Sequence, residues 1–339
     1  MTTVVAAALL LAVIAYAVLG GADFGAGFWD LVAGGDRKGA EPRRVIERAI
    51  GPVWEGNHVW LIFIFVVLWT GFSEAYASIW LTLFVPLTIA ALGIVLRGTG
   101  FAFRKAVTRT RYQRIFGGAF AIPSVIVPYC MGAVVGAVAS GRVPAGGIAG
   151  DPVDSWINPT SILGGVLAVT MAAYLASVYL VVDADRVGDP VMVDYFRRRA
   201  LGTAVVAGVV AGAGIFVLRE DASYIFDGLT TRALPIVVLS AVCGVVSLVF
   251  LVRRGHAQMT RVTAALAVAT IVLSWGVAQW DYILPESLTL EQASAPDGTL
   301  AALIVAAVLV VLLVGPAFIW LYRLDQKDLL PGEGGAENA

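Results

Sequence analysis

The stretch from Trp54 to Trp60 brings together residue types that can take up and pass on protons. Glu55, Asn57 and His58 stand there within four consecutive positions, where a long apolar run begins. Glu and His side chains both exchange protons near neutral pH when their surroundings shift them. The stretch therefore predicts a proton-uptake site. A structural interpretation is also open, because a carboxylate in the first turn of a helix interacts favourably with the helix dipole.

Asp23 is the second candidate, since it lies inside an apolar run within the glycine-rich segment 20–27. A carboxylate inside a membrane span costs roughly 2.5–3.5 kcal/mol on insertion scales, so such acids usually face a cavity or a partner. Asp23 is therefore expected to serve either in proton transfer or in a structural hydrogen bond. Asp30 lies closer to the end of the run, and exposure to water is expected to account for it. The glycines predict a kink or the close approach of a neighbouring helix.

A third segment, 275–285, carries two tryptophans, Gln279, Asp281 and Tyr282 near the end of another apolar run. Trp and Tyr favour membrane–water interfaces, so an aromatic belt explains most of this segment. Asp281 is expected to mark the membrane boundary there. A quinone-like ring could stack on the same aromatic side chains.

The sequence offers little for metal or nucleophilic chemistry. It contains two histidines, His58 and His256, and two cysteines, Cys130 and Cys243, without the spacing of a metal site. His256 lies among arginines in a short polar segment, so a haem held by both histidines is not expected. A Gly-rich phosphate loop and a nucleophilic triad are also missing. The chain is therefore predicted to bind no metal and to carry no redox centre of its own.

Nine long apolar runs must position these candidates. The chain has 339 residues, of which 59% are hydrophobic and 14% charged, values outside the usual range for soluble proteins. A run of about 20 apolar residues matches a bilayer core of roughly 30 Å. The runs are 3–33, 57–73, 77–98, 114–138, 161–182, 201–219, 233–252, 262–281 and 298–322. The sequence thus predicts an all-α polytopic membrane protein with nine transmembrane helices.

The basic residues predict the orientation of these helices. When the connecting segments are assigned alternately to two sides, 20 of the 23 Lys and Arg residues fall on one side. That side contains the segments 34–56, 97–114, 183–200 and 253–261 and the tail after 322. Basic residues are retained on the cytoplasmic side of a membrane. The N-terminus is therefore predicted outside and the C-terminus in the cytoplasm.

The connections between the runs are too short for a separate folded domain. Residues 1–330 are therefore predicted to form a single integral-membrane domain, and the Gly/Glu-rich residues 331–339 a disordered cytoplasmic tail. The net charge of −1 gives no indication of a nucleic-acid partner. Any globular partner must come from another chain.

Five stretches of the chain carry a family resemblance. The segment 50–62 contains Gly-Pro-Val-Trp-Glu-Gly-Asn-His-Val-Trp, and residues 22–27 form a glycine-rich part of the first run. Residues 96–104 close the third run, and residues 275–288 and Tyr322-Arg323 belong to the last two. Together these stretches resemble subunit II of the cytochrome bd-type quinol oxidases, and the resemblance extends over nearly the whole chain.

The resemblance implies a division of labour between two chains of a bacterial cell-membrane complex. Subunit I would carry haem b and haem d, oxidise quinol and reduce O2 to water. Subunit II would be its haem-free partner, built as two four-helix bundles plus one peripheral helix. It would support assembly and contribute a cytoplasmic proton path. The resemblance also leaves room for small accessory subunits, for membrane lipids and for a bound quinone or lipid.

The family's site residues carry over onto named positions of this chain. The acid that follows the signature tryptophan falls on Glu55, and the first-helix acid falls on Asp23. Many relatives have an acid where Gly20 stands, so any chain of carboxylates in the first helix is shorter here. Many also have Asp where Glu55 stands, and Glu55 keeps that charge but adds a methylene. The proton-path candidates are Glu55, Asp23, His58 and Asn57, and no catalytic residue is expected in this chain. The structural signature residues are Trp54, Trp60, Arg97, Arg104 and Gln279.

Two other functions remain compatible with these residues. A proton-coupled secondary transporter would use Asp23 and Glu55 as coupling acids and would purify as a colourless, self-sufficient protein. A purely structural subunit would share the haem-bearing partner but would need neither acid for turnover.

Overall fold

The computed structural model describes residues 1–35, 37–51, 54–106 and 110–326, and nearly all of these are helical. The tail predicted to be disordered, 331–339, lies outside the described residues. In chain order the helices are α1 Thr2–Ala15, α2 Gly21–Leu31, α3 Ala40–Ile50, α4 Trp54–Gly71, α5 Ser73–Thr82, α6 Phe84–Ala106, α7 Thr110–Ala121, α8 Pro123–Ala139, α9 Pro159–Arg186, α10 Pro190–Asp221, α11 Ser223–Thr230, α12 Leu234–Arg253, α13 Ala257–Gln279, α14 Leu290–Ala293, α15 Asp297–Leu309 and α16 Gly315–Gln326.

Eight of the described helices are long and apolar enough to cross a membrane, and α3 with α4 makes a ninth if that pair is taken as one span. This agrees with the predicted count of nine. The first span runs from Thr2 to Leu31, because the π-helical turn Tyr16–Gly20 joins α1 to α2 without a loop. A second π-helical turn, Val310–Val314, joins α15 to α16.

The helix ends meet on two faces, as the alternation of the connecting segments requires. We call the end that carries most of the basic residues the basic face and the other end the opposite face. Contacts that join helix ends on the basic face are Arg104–Asp30, Arg104–Glu47, Arg254–Asp194 and Arg197 to the Leu251 carbonyl. Those on the opposite face are Arg142–Asp221, Gly146 N–H to Glu74, Tyr224 to the Trp280 carbonyl and Ala295 N–H to the Gly71 carbonyl.

Two local elements differ from the sequence prediction. The segment 74–76, expected to connect two spans, lies inside α5, and the next long helix starts at Phe84 rather than at 77. Three α5 side chains one helical turn apart hold the loop after α8, since Glu74, Ser78 and Thr82 accept backbone N–H groups from that loop. The second element is a short antiparallel hairpin, β1 Tyr282–Leu284 with β2 Leu288–Thr289, in a chain predicted to be all-α.

The helix α9 lies at the centre of the assembly and packs against α2, α8, α10 and α13. Small residues let the backbones meet there. A Cβ at Gly132 of α8 would collide with the Gly164 carbonyl of α9, and one at Gly136 with the Thr160 carbonyl. Helix association in lipid depends on such close packing, because lipid chains are as apolar as the side chains that they would replace.

Candidate functional site

Asp23 and Arg97 form an ion pair in the interior of the assembly. Arg97 Nη2 lies 2.7 Å from Asp23 Oδ1, and the arginine and aspartate side chains are 1% and 3% exposed. Arg97 also donates from Nε to Ser124 Oγ at 3.0 Å. Its guanidinium lies over the rings of Phe24 and Phe120, 4.8 and 4.9 Å from their centroids. The pair therefore joins α2, α6 and α8 where neither charge reaches bulk water.

Small residues in α2 allow this pair to form. A Cβ at Gly25 would collide with the Ala172 carbonyl of α9, and one at Gly27 would collide with Ser124 of α8. The predicted close approach of neighbouring helices at these glycines is therefore confirmed. With Cβ atoms there, α2 would be displaced from α8 and α9, and Asp23 would move away from the arginine.

Four polar atoms around the pair are buried without a hydrogen-bond partner among the described residues. They are Asp23 Oδ2, Arg97 Nη1, His58 Nδ1 and Tyr16 Oη. The His58 ring centroid lies 6.2 Å from that of Tyr16 and 6.0 Å from that of Phe24. An unsatisfied buried polar group costs about 1–3 kcal/mol, so groups of this kind usually bind ordered water. We call Asp23, Arg97, His58 and Tyr16 the inner cluster.

Asn57 connects the start of α4 to the first span. Its side chain is buried, and Nδ2 donates to the Leu19 carbonyl at 3.3 Å, within the π-helical turn. Gly20 lies in the same turn, and a Cβ there would meet the ring of Tyr16. A side chain at position 20 would therefore compete with the Tyr16 ring for space.

Glu55 lies in the first turn of α4, and its side chain is exposed. This position suits both a carboxylate that stabilises the helix N-terminus and one that takes protons from water. The next residue, Gly56, contacts Phe318 of α16, whose ring centroid is 6.3 Å from that of Trp60. The side chain of Trp54 lies outside the described part of the structure.

Asp30 is buried, so the expectation that exposure to water accounts for it is wrong. Its Oδ1 lies 3.2 Å from Arg104 Nη1 and 3.4 Å from Arg43 Nε. Arg104 also reaches Glu47 Oε1, at 3.0 Å. The physical reason is that α3 packs across the end of α2 and brings Arg43 and Glu47 with it. Arg104 thus joins α6 to both of these helices.

Sequence reasoning missed an ion pair on the opposite face. Arg142 donates to both carboxylate oxygens of Asp221, at 3.2 and 2.6 Å. Asp221 Oδ2 also accepts from Thr160 Oγ1 and from the Thr160 N–H. The one signal in the sequence was Arg142, which is the single Lys or Arg residue of the segment 139–160. The pair joins the end of α10 to the loop after α8, and the Thr160 bonds join it to the start of α9.

Gln279 shapes the end of α13 on the opposite face. Its side chain is buried, and Nε2 donates to the Ile283 carbonyl at 2.9 Å. That bond ties the end of the helix to β1. Asp281 between them is exposed, in keeping with a membrane boundary at this position.

The described residues bring together no group of three or more His, Cys, Asp or Glu side chains suited to a metal ion. His58 belongs to the inner cluster, whereas His256 precedes α13 and is exposed. The two imidazoles therefore cannot face one buried haem. Cys130 and Cys243 are both buried as free thiols.

Three comparisons with known proteins bear on this arrangement. Residues 1–325 match the sequence model of the family described as cytochrome bd terminal oxidase subunit II. The chain is 25% identical to the cytochrome bd ubiquinol oxidase subunit 2 of Bacillus subtilis, over 91% of both chains. It is also 25% identical to the cytochrome bd-I ubiquinol oxidase subunit 2 of Escherichia coli K12, over 93% of both chains.

The fold has a counterpart among solved structures. A chain of the bd oxidase from Geobacillus thermodenitrificans superposes with a TM-score of 0.76 at 24% identity, and the match covers 95% of this chain and 98% of that one. The length, order and packing of the helices therefore follow a known architecture.

Proposed function

The chain belongs to the cytochrome bd terminal oxidase subunit II family, and from that premise we propose that it is the haem-free subunit of a quinol oxidase that reduces O2 to water. Membership makes it a multi-pass bacterial membrane protein and a subunit of a respiratory oxidoreductase complex. It leaves the secondary-transporter alternative without support.

The absence of haem from this chain is the first part of the proposal. Its support is the histidine geometry, since the His58 imidazole is half-buried beside two aromatic rings and that of His256 is exposed. Haem ligation needs an axial side chain that faces a cavity large enough for the macrocycle. The haems are assigned instead to a larger subunit I, which the complex must contain.

The second part concerns assembly and orientation. We infer that the basic face is cytoplasmic, because basic residues are retained on that side of a membrane. The helices α10 and α15–α16 bury little of their surface within this chain, so they are available to lipid, to subunit I or to small accessory subunits. The arrangement into two four-helix bundles with one peripheral helix belongs to the same proposal.

The third part is a proton path from the cytoplasm towards subunit I. The single observation that carries it is the buried Asp23 carboxylate, which binds Arg97 through Oδ1 while Oδ2 has no partner among the described residues. A free acceptor oxygen in the membrane interior can hold water or a proton. Asn57 stands two positions after Glu55 and lines the same cleft as Asp23. Glu55, Asn57, His58 and Asp23 therefore form the proposed route.

The test is Glu55→Gln in the purified two-subunit complex. The substitution preserves the shape of the side chain but removes the exchangeable proton, so haem absorbance and yield should persist while quinol oxidase turnover falls. Glu55→Asp should restore much of the rate. The matched control is Glu41→Gln, which changes an exposed acid of α3 paired with Arg44. Wild-type turnover of an intact Glu55→Gln complex would leave Glu55 as a helix-stabilising carboxylate and favour a purely structural subunit.

A further inference from the structure

A narrow cleft enters the assembly from the basic face between α2, α3, α4, α9 and α13. Asp23, Ala49, Asn57, Tyr179, Asp183 and Arg261 are among its lining residues. The cleft has a volume of about 50 Å³. Since a water molecule needs roughly 10–15 Å³ of such space, a few water molecules fit. Glu55 is not among the described residues that line it.

The mouth of the cleft lies at the ends of α9 and α13. Arg261 Nη1 lies 4.0 Å from Asp183 Oδ1, and the arginine and aspartate side chains are 13% and 19% exposed. The Arg261 guanidinium also lies 4.3 Å from the centre of the Tyr179 ring, which holds it to one side. Asp183 thus offers a partly exposed carboxylate at the entrance.

The inner end of the cleft is different in character. Asp23 reaches it from α2, and Asn57 from α4, and both side chains are buried. Asp23 has an unpartnered oxygen, as described above. A carboxylate at the mouth and a carboxylate with a free oxygen at the inner end are therefore connected by a space that admits water.

Two neighbouring acids of the basic face, Asp30 and Glu47, are not among the described residues that line the cleft. Asp30 is held between Arg104 and Arg43, and Glu47 is held by Arg104. These direct ion pairs fill the end of α2 with protein atoms. In the described part of the structure, the cleft on the α9–α13 side of α2 offers water an opening from the basic face towards Asp23.

We propose that this cleft is a proton entrance, in which Asp183 takes up protons from cytoplasmic water and relays them through cleft water to Asp23. The inference rests on the proposed function, and it adds an entrance that is independent of Glu55. Each step conserves charge and mass: the Asp183 carboxylate accepts one proton, passes it to cleft water and returns to the ionised form. Asp23 Oδ2, or the water bound to it, receives the proton.

The first experiment compares Asp183→Asn with Asp194→Asn in the intact oxidase complex. Asp194 is a carboxylate of the same face, paired with Arg254 and Arg197 outside the cleft, and its substitution should leave turnover unchanged. Loss of a relay acid should slow turnover on the order of tenfold, less than loss of a catalytic acid, because water can replace part of the relay. Formate, as a small diffusible acid, should restore the Asp183→Asn rate; a purely structural role would show no such rescue.

The second experiment tests the cleft without changing an acid. Ala49→Cys places a thiol on its wall, and both native cysteines are buried. A small charged methanethiosulfonate should label Ala49→Cys from the cytoplasmic side and slow turnover. The same reagent on Glu41→Cys, an exposed position outside the cleft, should label without slowing.

The outcomes separate this inference from the proposed function. If Asp23→Asn slows an intact complex while Asp183→Asn and labelled Ala49→Cys turn over like wild type, the cleft is not the entrance and the path starts elsewhere. If Asp23→Asn itself turns over like wild type, the proton path as a whole fails. Slow turnover of all three, with rescue of Asp183→Asn by formate, supports the entrance.

Discussion

Two ion pairs of this protein combine an aspartate with an arginine but differ in how many carboxylate oxygens the arginine binds. In the pair Asp221–Arg142 the arginine binds both carboxylate oxygens, and Thr160 adds two further hydrogen bonds. In the pair Asp23–Arg97 the arginine binds one carboxylate oxygen and leaves the other without a partner among the described residues. The saturated pair lies near water, with side chains 16% and 33% exposed, whereas the unsaturated pair lies in the interior.

The difference distinguishes Asp221–Arg142 as a structural ion pair from Asp23–Arg97 as a candidate functional site. Near water, an unsatisfied oxygen costs little, so full saturation at Asp221 serves to fix α10 against α9. In the interior an unsatisfied oxygen is costly. The unsatisfied Oδ2 of Asp23 is therefore better explained by a bound water or a transferable proton than by a contribution to stability. A carboxylate with every acceptor position occupied has no place for a proton to arrive.

The largest effect is expected for Arg97→Met, which leaves the buried Asp23 carboxylate without its cationic partner. Removing one partner of a buried pair typically costs about 3–5 kcal/mol. The purified complex should show a sharply lower yield and lower haem absorbance. Arg97→Lys, which keeps the charge, is the milder comparison.

The double variant Asp23→Asn/Arg97→Met sharpens the same comparison. With both charges removed, yield and haem absorbance should recover towards wild type while turnover stays low. Full recovery of turnover would show that the inner pair is as purely structural as the outer one.

A smaller effect is expected for Arg142→Ala. Water can reach Asp221 in place of the lost guanidinium, and Thr160 remains bound. The free energy of unfolding should therefore fall by about 1–2 kcal/mol, after allowance for solvent screening. The melting temperature of the complex should fall while turnover per haem stays constant. Arg219→Ala, an exposed arginine in the last turn of α10, is the control and should change neither value. A large loss of turnover per haem would place the outer pair in the mechanism.

Thr160→Val should have a smaller effect still. Valine keeps the shape and removes only the hydroxyl that donates to Asp221, while the backbone N–H bond and both arginine contacts persist. The expected loss is about 1 kcal/mol, seen as a small fall in melting temperature that Thr160→Ser reverses. An effect as large as that of Arg142→Ala would mean that the hydroxyl, rather than the guanidinium, holds the carboxylate.

The smallest effect is expected for His58→Ala on the haem spectrum. His58 lies beside the unsaturated pair in contact with Tyr16 and Phe24, and it is proposed to be no haem ligand. The absorption bands of the intact complex should keep their positions and intensities. A lost or shifted haem band would show that the interior site of this chain serves the cofactor directly.

Sequence patterns predicted the spans well, because apolar length and the distribution of arginines are properties of single segments. Asp23 was also found from sequence, since an acid in an apolar run is conspicuous wherever its partner lies. The partner was not found as such, because Arg97 is 74 positions away and its position near the end of a run also suits an arginine at the membrane boundary.

The errors have a common physical cause. Asp30 stands near a helix end, where exposure is the ordinary expectation, and only the packing of helices that are distant in sequence encloses it. The helix α3 covers Asp30 and brings Arg43 to it. The α5 boundary was missed because residues 77–83 are as apolar as the span that follows them.

The π-helical turn Tyr16–Gly20 has a consequence for how related sequences can vary in length. Its defining bond, from the Gly21 N–H to the Tyr16 carbonyl, spans one residue more than an α-helical bond, so the turn amounts to a one-residue insertion in the first span. Each residue advances an α-helix by about 100°. The π-helical turn, however, places its extra residue within about one widened turn. Deleting one residue here would therefore restore regular α-helical geometry and leave Asp23 and Gly25 facing nearly the same direction relative to α1. Homologues are expected to keep the buried pair with or without this residue, and a one-residue gap in an alignment should fall in this turn.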